Sequence, residues 1–231
     1  MTAIFAHRGC HGVPTPAENT IAAFVEARRR GADGVELDVR ATADAALAVV
    51  HDQRVPGVGE VTNIAASQLP ESVPLLADAL EACRPMRVNV EIKGGPDEAV
   101  LVAGLLVERG PGRGAPPPGV FVSSFDPGSL AALREAAPRV ACGLLLDWGA
   151  DARRGLDLAV DLGCKTVHPF VAQVDAGLVA GARQRGLGVH VWTVNSDEDL
   201  AAMGAHGVEA VITDRVAAAI GILRPPPRRG P

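Results

Sequence analysis

Glu36 and Asp38 stand two residues apart inside the apolar run GVELDV, and Glu91 and Lys93 stand two apart inside VNVEIKG. Successive residues of a β-strand point to opposite faces, so Glu36 and Asp38 share one face while Val35, Leu37 and Val39 share the other. The same parity puts Glu91 and Lys93 together. If the two runs lie on neighbouring strands, three carboxylates converge. An all-oxygen cluster of this kind suits a hard divalent cation, Ca²⁺ or Mg²⁺, better than zinc, which prefers Cys and His. Without a cation their mutual repulsion would raise the pKa of at least one of them. Lys93 can pair with one carboxylate, and that pairing is compatible with a bound cation.

Two histidines carry charged neighbours near the same end of the predicted strands: His7, followed by Arg8, and His51, followed by Asp52. Imidazole titrates near neutrality, so one ring can accept a proton from a nucleophile while the other donates one to a leaving oxygen. Arg8 and Lys93 offer fixed positive charge for an anion, and a guanidinium suits phosphate oxygens well. A divalent cation, two imidazoles and two fixed cations together describe a phosphodiesterase site.

The elements that must position these groups are legible as alternating strands and helices. Eight short apolar runs read as strands: AIFAH, GVELDV, RVNVEI, GVFVSS, ACGLLL, KTVHP, GVHVWTV and EAVITD. Ala-rich segments of helical period lie between them, the pattern of βα units on a parallel sheet. NTIAAFVEARRRG is one such helix, with apolar Ile21, Phe24 and Val25, a cap at Asn19 or Thr20, and a stop at Gly31. Its basic end, Arg28 to Arg30, complements the helix dipole.

Eight such units predict an α/β fold, the (β/α)8 TIM barrel, with an open doubly wound sheet as the alternative. The barrel collects its reacting groups at the C-terminal ends of the strands, where His7, Arg8, Glu36, Asp38, Glu91, Lys93, Ser123, Ser124, His168, Trp192 and Asp214 fall. Thr42 to Ala46 reads as a tight turn that folds Leu47 to His51 back on the second strand as a hairpin extension. A turn centred between Asp44 and Ala45 sets His51 opposite Asp38. Residues 53–86 are expected to cover one side of the mouth, and 110–119 to be a loop on the opposite end. One domain is expected over residues 1–223, with a disordered tail over 224–231.

The 22 Lys and Arg against 27 Asp and Glu give a net charge of −5, which argues against nucleic acid or an anionic membrane surface as partner. A small diffusing substrate fits better. Cys10, Cys83, Cys142 and Cys164 are scattered without a C-x-x-C pair and are expected to be free thiols. MTAIFAHRG enters a strand directly, with no basic segment leading a hydrophobic one, so the expected location is the cytoplasm, without stable membrane association.

In order along the chain, AHRG, PAENT, GADGVELDVRATADAALAVVHD, VNVEIKG, SSFD, WTVNS and GVEAVITD resemble the successive motifs of the glycerophosphodiester phosphodiesterases. The resemblance implies hydrolysis of a glycerophosphodiester to glycerol 3-phosphate and an alcohol, with His7 and His51 as the acid/base pair. It implies that Glu36, Asp38 and Glu91 bind the cation, that Arg8 and Lys93 hold the phosphate, and that Trp192 and Phe125 line the pocket. The attacking oxygen is then that of water or of a neighbouring glycerol hydroxyl. Two departures stand out. Ala45 occupies a turn position where the family has Gly, and the segment after Asp52 is short and lacks an Arg-Thr pair, which bears on headgroup preference. Two alternative readings are a related phosphodiesterase acting on lysophospholipids, which the 3% aromatic content disfavours, and a non-catalytic phosphodiester-binding barrel. His168, His11, His190 and His206 are read as structural, and Asp214 as a helix cap.

Overall fold

The structure, a computed structural model, describes residues 1–12 and 16–224. In chain order its strands are β1 (Ala3–His7), β2 (Gly34–Ala41), β3 (Leu47–Val49), β4 (Arg54–Val55), β5 (Gly59–Glu60), β6 (Arg87–Ile92), β7 (Val120–Ser124), β8 (Cys142–Leu145), β9 (Thr166–His168), β10 (Gly188–Val191) and β11 (Ala210–Thr213). The eight quoted runs supply β1, β2 and β6 to β11, which pair in parallel around a ring. Ring closure runs through β1, which pairs with β11 on one side and with β2 on the other. This is the (β/α)8 barrel; closure excludes the open sheet.

A helix follows each barrel strand: α1 (Ile21–Arg29), α2 (Leu76–Cys83), α3 (Pro96–Arg109), α4 (Pro127–Ala136), α5 (Ala152–Asp161), α6 (Ala176–Gln184), α7 (Asp197–His206) and α8 (Val216–Leu223). Their starts lie at the mouth, and side chains there satisfy the first N–H groups. Thr20 caps α1, Asp126 caps α4, Asp151 caps α5, Asp175 caps α6 and Ser196 caps α7. Pro96 and Pro127 open α3 and α4, where a missing N–H costs nothing. The main core lies between barrel and helices. On α1 it takes Ala23, Phe24 and Ala27, whereas Val25 faces outward at 40% exposure.

Inside the barrel, Phe5, Phe121, His168 and His190 fill the middle, with ring centroids 4.8 to 5.9 Å apart along the chain of neighbours Phe121–Phe5–His190–His168. Gly34 and Gly143 make room for this plug. A Cβ at Gly34 would collide with the Phe5 ring, and one at Gly143 with Thr166 and His168. The plug closes the floor of the mouth to water.

The hairpin forms with a register one residue from expectation. Val39 pairs with Val49, Arg40 with Ala48 and Ala41 with Leu47, so the loop is centred on Asp44 and Val50, not His51, lies opposite Asp38. Thr42 and Asp44 decide this. Thr42 N donates to Ala46 O (2.8 Å), Thr42 Oγ1 meets Asp44 Oδ1 (2.6 Å), and Asp44 Oδ1 accepts from Ala66 N (2.9 Å). Ala45 adopts the left-handed conformation itself (φ 62), which costs an L-residue about 1–2 kcal/mol, so the turn geometry survives without glycine.

Residues 53–86 flank the His51 side of the mouth, where Arg54, Pro56, Ser72 and Val73 line a small cavity with His51 and Asp52. Val55 and Val61 pack on Ala48 beneath the hairpin, Val49 N donates to Pro74 O (2.8 Å), and the segment ends in α2. The segment braces the hairpin from behind. At the other terminus Arg224 caps α8 and pairs with Asp33, while the remainder of the expected tail lies outside the described residues. The cysteines are free and buried, Cys142 and Cys164 with their sulfurs 3.7 Å apart. Among the described residues no helix is long and apolar enough to cross a membrane.

Candidate active site

Parallel register carries the strand-end residues to one place. Glu36 pairs with Asn89 and Asp38 with Glu91 across β2 and β6, and His7 pairs with Glu36 across β1 and β2. One oxygen from each of Glu36, Asp38 and Glu91 falls in a cluster whose members lie within 4.8 Å of one another. His7, Arg8, Glu36, His51, Glu91, Lys93, Phe125 and Trp192 line one cavity of about 250 Å³. Asp38 lies buried behind it at 1% exposure. A larger cavity, about 920 Å³, opens at the other end beside Thr2, Leu187 and Glu209, away from all of these groups.

The carboxylates are tightly enclosed. Burial, and then the charges of Asp38 and Glu91, push the Glu36 carboxyl well above the ordinary range. Burial and Asp38 also raise Glu91, against the pull of Lys93. Glu36 Oε2 accepts the Arg8 backbone N–H (3.1 Å), while Glu36 Oε1 is buried without a hydrogen-bond partner among the described residues. Buried polar atoms rarely stand alone, and an orphaned carboxylate oxygen next to two other carboxylates has the donor chemistry of a hard-cation ligand.

Cationic side chains close around the cluster. Lys93 Nζ lies 2.6 Å from Glu91 Oε1 and 3.5 Å from Asp38 Oδ1. Arg8 Nε is 3.2 Å from Asp38 Oδ2, and its Nη1 donates to Glu18 (2.9 Å). Burial works against the Arg8 charge, but Asp38 and Glu18 hold its pKa above the usual value. Arg8 sits in the left-handed region (φ 54), a conformation costing about 1–3 kcal/mol, and this strain turns its N–H onto Glu36. Asn19, also left-handed (φ 55), donates from Nδ2 to Asp38 Oδ2 (2.8 Å) and accepts the Asp38 N–H (3.3 Å).

Each imidazole of the pair is held by an aspartate. His7 Nδ1 is 2.7 Å from Asp214 Oδ1, and His51 Nδ1 is 2.8 Å from Asp52 Oδ1. A carboxylate accepts only, so Nδ1 is the donor in both rings and Nε2 is left for the cavity. The surroundings differ. Asp52 is 76% exposed at its side chain, whereas Asp214 is 35% exposed and is pinned by Asn195 Nδ2 (2.6 Å). Burial opposes ionisation of Asp214, but contacts from His11 and His7 hold it well below the usual carboxylate range. The hydrogen bond from His51 lowers Asp52 as well.

Asp214 is therefore not a helix cap; α8 starts from Arg215 without a side-chain cap. Its role was legible only through register, because Ala6 pairs with Thr213 and so sets His7 beside Asp214. His11 lies 3.3 Å from Asp214 Oδ1 and does not line the cavity. Asn89, Asn195 and Asn19 are further polar residues at the mouth, Asn89 on the cavity floor with both amide atoms unpaired among the described residues. His168 is fully buried, bonded to Thr166 Oγ1 (2.8 Å), and outside the cavity. None of residues 53–86 lines the cavity. Its walls come instead from Phe125, Leu145, Trp192 and Thr193, with Phe125 and Trp192 edge to face at 5.4 Å.

Comparison with known proteins shows the family and the fold. The family model for the glycerophosphoryl diester phosphodiesterase family matches residues 7–218. A glycerophosphodiester phosphodiesterase of Caldanaerobacter subterraneus subsp. tengcongensis is 32% identical across an alignment covering 96% of this chain and 98% of that protein. Among solved structures, a glycerophosphodiester phosphodiesterase from Agrobacterium tumefaciens has a TM-score of 0.80 at 25% identity, covering 96% of this chain and 100% of that one. An Oleispira antarctica phosphodiesterase, solved with the product sn-glycerol-3-phosphate, has a TM-score of 0.80 at 22% identity, covering 95% and 97%.

Proposed function

The chain belongs to the glycerophosphoryl diester phosphodiesterase family and is a phosphoric diester hydrolase; we propose that it is metal-dependent and splits small glycerophosphodiesters into glycerol 3-phosphate and an alcohol. The observation that carries this reading is the convergence, at one mouth, of three carboxylates, two aspartate-held imidazoles and two cationic side chains. The cavity of about 250 Å³ suits a glycerol and phosphate moiety and leaves little room for an acyl chain, which favours a soluble diester over a lysophospholipid.

Glu36, Asp38 and Glu91 would hold one Ca²⁺ or Mg²⁺, as their all-oxygen donor set and the orphaned Glu36 oxygen fit. Bound there, such a cation supplies positive charge that polarises the phosphate and offsets the charge building on it. Arg8 and Lys93 border the cavity with fixed charge and orient the phosphate oxygens. His7 and His51 present Nε2 to the substrate, one taking the proton of the attacking oxygen and the other giving one to the departing alcohol. Asp214 and Asp52 keep each ring in that tautomer. Phe125 and Trp192 wall the cavity against water.

The test is turnover of a panel of glycerophosphocholine, glycerophosphoethanolamine and glycerophosphoglycerol, with Ca²⁺ or Mg²⁺ and with EDTA. Release of glycerol 3-phosphate that stops with EDTA is expected. Turnover untouched by EDTA would refute metal dependence, and no cleavage of any member would refute the substrate class.

A further inference from the structure

Next to the carboxylate cluster the mouth holds a second group of donors of different chemistry. One ring nitrogen each of His7 and His11 and a carboxylate oxygen of Asp214 lie within 4.8 Å of one another. Asp214 Oδ1 is 2.7 Å from His7 Nδ1 and 3.3 Å from His11 Nε2. Two imidazole nitrogens and one carboxylate oxygen favour a borderline transition cation, whereas three carboxylates favour Mg²⁺ or Ca²⁺.

The spacing is close to that of a coordination sphere, with the two histidine nitrogens no more than 4.8 Å apart. Around a tetrahedral zinc ion with bonds of about 2.0–2.1 Å, adjacent donors stand roughly 3.3 Å apart. The contact between Asp214 and His11 already has that spacing, and the one between Asp214 and His7 would have to open by roughly 0.6 Å. His11 Nε2 has no aligned hydrogen bond among the described residues, its one polar neighbour being Asp214 Oδ1 at 3.3 Å, so coordination there replaces that single ion-pair contact. Asn195 holds Asp214 through the other oxygen, Oδ2, and leaves Oδ1 turned to the histidines. The side chains of His7, His11 and Asp214 are 21%, 23% and 35% exposed, so the cluster lies at the surface of the mouth although His11 Nε2 itself is covered.

We propose that His7, His11 and Asp214 form a binding site for Zn²⁺ or a similar borderline cation, separate from the carboxylate cluster, and that filling it stops turnover. The site stands on its geometry; the inhibition rests on His7 acting in acid/base catalysis. A cation on His7 Nδ1 replaces the hydrogen bond to Asp214 and leaves the ring's one proton on Nε2. The ring then has no free nitrogen to accept a proton, and it can no longer become imidazolium by gaining one.

Co²⁺ serves as the coloured stand-in for Zn²⁺. With the full chain kept in excess Mg²⁺, Co²⁺ should bind at one equivalent with visible absorption bands of a tetrahedral nitrogen and oxygen site, and Zn²⁺ should displace it. His11→Ala and Asp214→Asn should each weaken that binding at least tenfold. Zn²⁺ should inhibit glycerophosphodiester turnover of the wild type at saturating Mg²⁺, while His11→Ala, measured against its own Mg²⁺-supported rate without Zn²⁺, escapes inhibition. Co²⁺ binding unchanged in His11→Ala, or Zn²⁺ inhibition relieved by more Mg²⁺, would overturn the separate site. Binding that depends on His11 but leaves turnover of the Zn²⁺-loaded protein intact would overturn the inhibition alone. If no diester is cleaved at all, the Co²⁺ titration still decides the site.

Discussion

Two layers of the same barrel interior bury polar side chains in opposite ways. On β1 the inward residues are Phe5 and then His7, on β7 Phe121 and then Ser123, and β10 carries His190 two residues before Trp192, so one step along a strand separates plug from mouth. At the mouth Glu36, Asp38 and Glu91 are met by Arg8, Lys93 and Asn19. In the plug, His168 Nδ1 and both nitrogens of His190 have no hydrogen-bond partner among the described residues. The two rings lie against each other with centroids 4.8 Å apart, His190 Nε2 has the Glu209 carboxylate 4.0 Å away, and burial holds the His168 pKa well below the usual value. Charge is retained where an ion and an anionic substrate would arrive, and aromatic and imidazole bulk fills the barrel beneath.

The sharpest break in that contrast is His51→Ala, which removes a proton-transfer group while leaving the carboxylates and the plug in place. It should lower kcat by about 10² to 10⁴ with cation affinity and folding little changed. For a p-nitrophenyl ester, whose leaving oxygen needs little protonation, the loss should be much smaller if His51 is the acid; if the roles are exchanged, His7→Ala shows that rescue instead. Equal losses for both esters in both variants would defeat the acid/base assignment.

A smaller effect should separate the two aspartates. Asp214→Asn replaces a half-buried partner pinned by Asn195 and should cost about 10 to 10² in kcat. Asp52→Asn, in an exposed pair, should cost only a few-fold, because water replaces the lost contact. Similar losses in the two variants would mean that burial does not set the strength of these pairs.

The smallest effect on activity belongs to the plug. His168→Leu should leave turnover within about twofold but change how stability depends on pH. With a folded pKa below that of the unfolded chain, the unfolded state takes up more protons as pH falls below about 6.5. The wild type should therefore lose stability on acidification from that point, and His168→Leu should show a shallower decline in urea unfolding at pH 7.5 and 5.5. An identical decline in both would mean that His168 is not held neutral in the folded state.

Much of this was open to reading in the chain itself. Runs such as RVNVEI and EAVITD are strands because branched apolar residues are set off by glycine and polar turns, and alternation alone put Glu36 with Asp38 and Glu91 with Lys93. The order of motifs pointed to the family. The hairpin register was misread by one residue because Thr42 and Asp44 close the loop with their side chains, which strand alternation does not report. Residues 53–86 flank the mouth beside His51, as expected, but their apolar residues pack beneath Ala48, and none lines the cavity that holds the carboxylates.

Side-chain parity, helix caps and the carboxylate pairs depend on residues a few positions apart, and for that reason the sequence by itself determined them. The partnership of Asp214 with His7 and His11 joins residues about two hundred positions apart, and only barrel closure between β1 and β11 creates it. Locally, Asp214 looks like any residue ahead of a helix. Which neighbour it finds is set by backbone hydrogen bonds between the first and last strands, a long-range register that no local preference encodes.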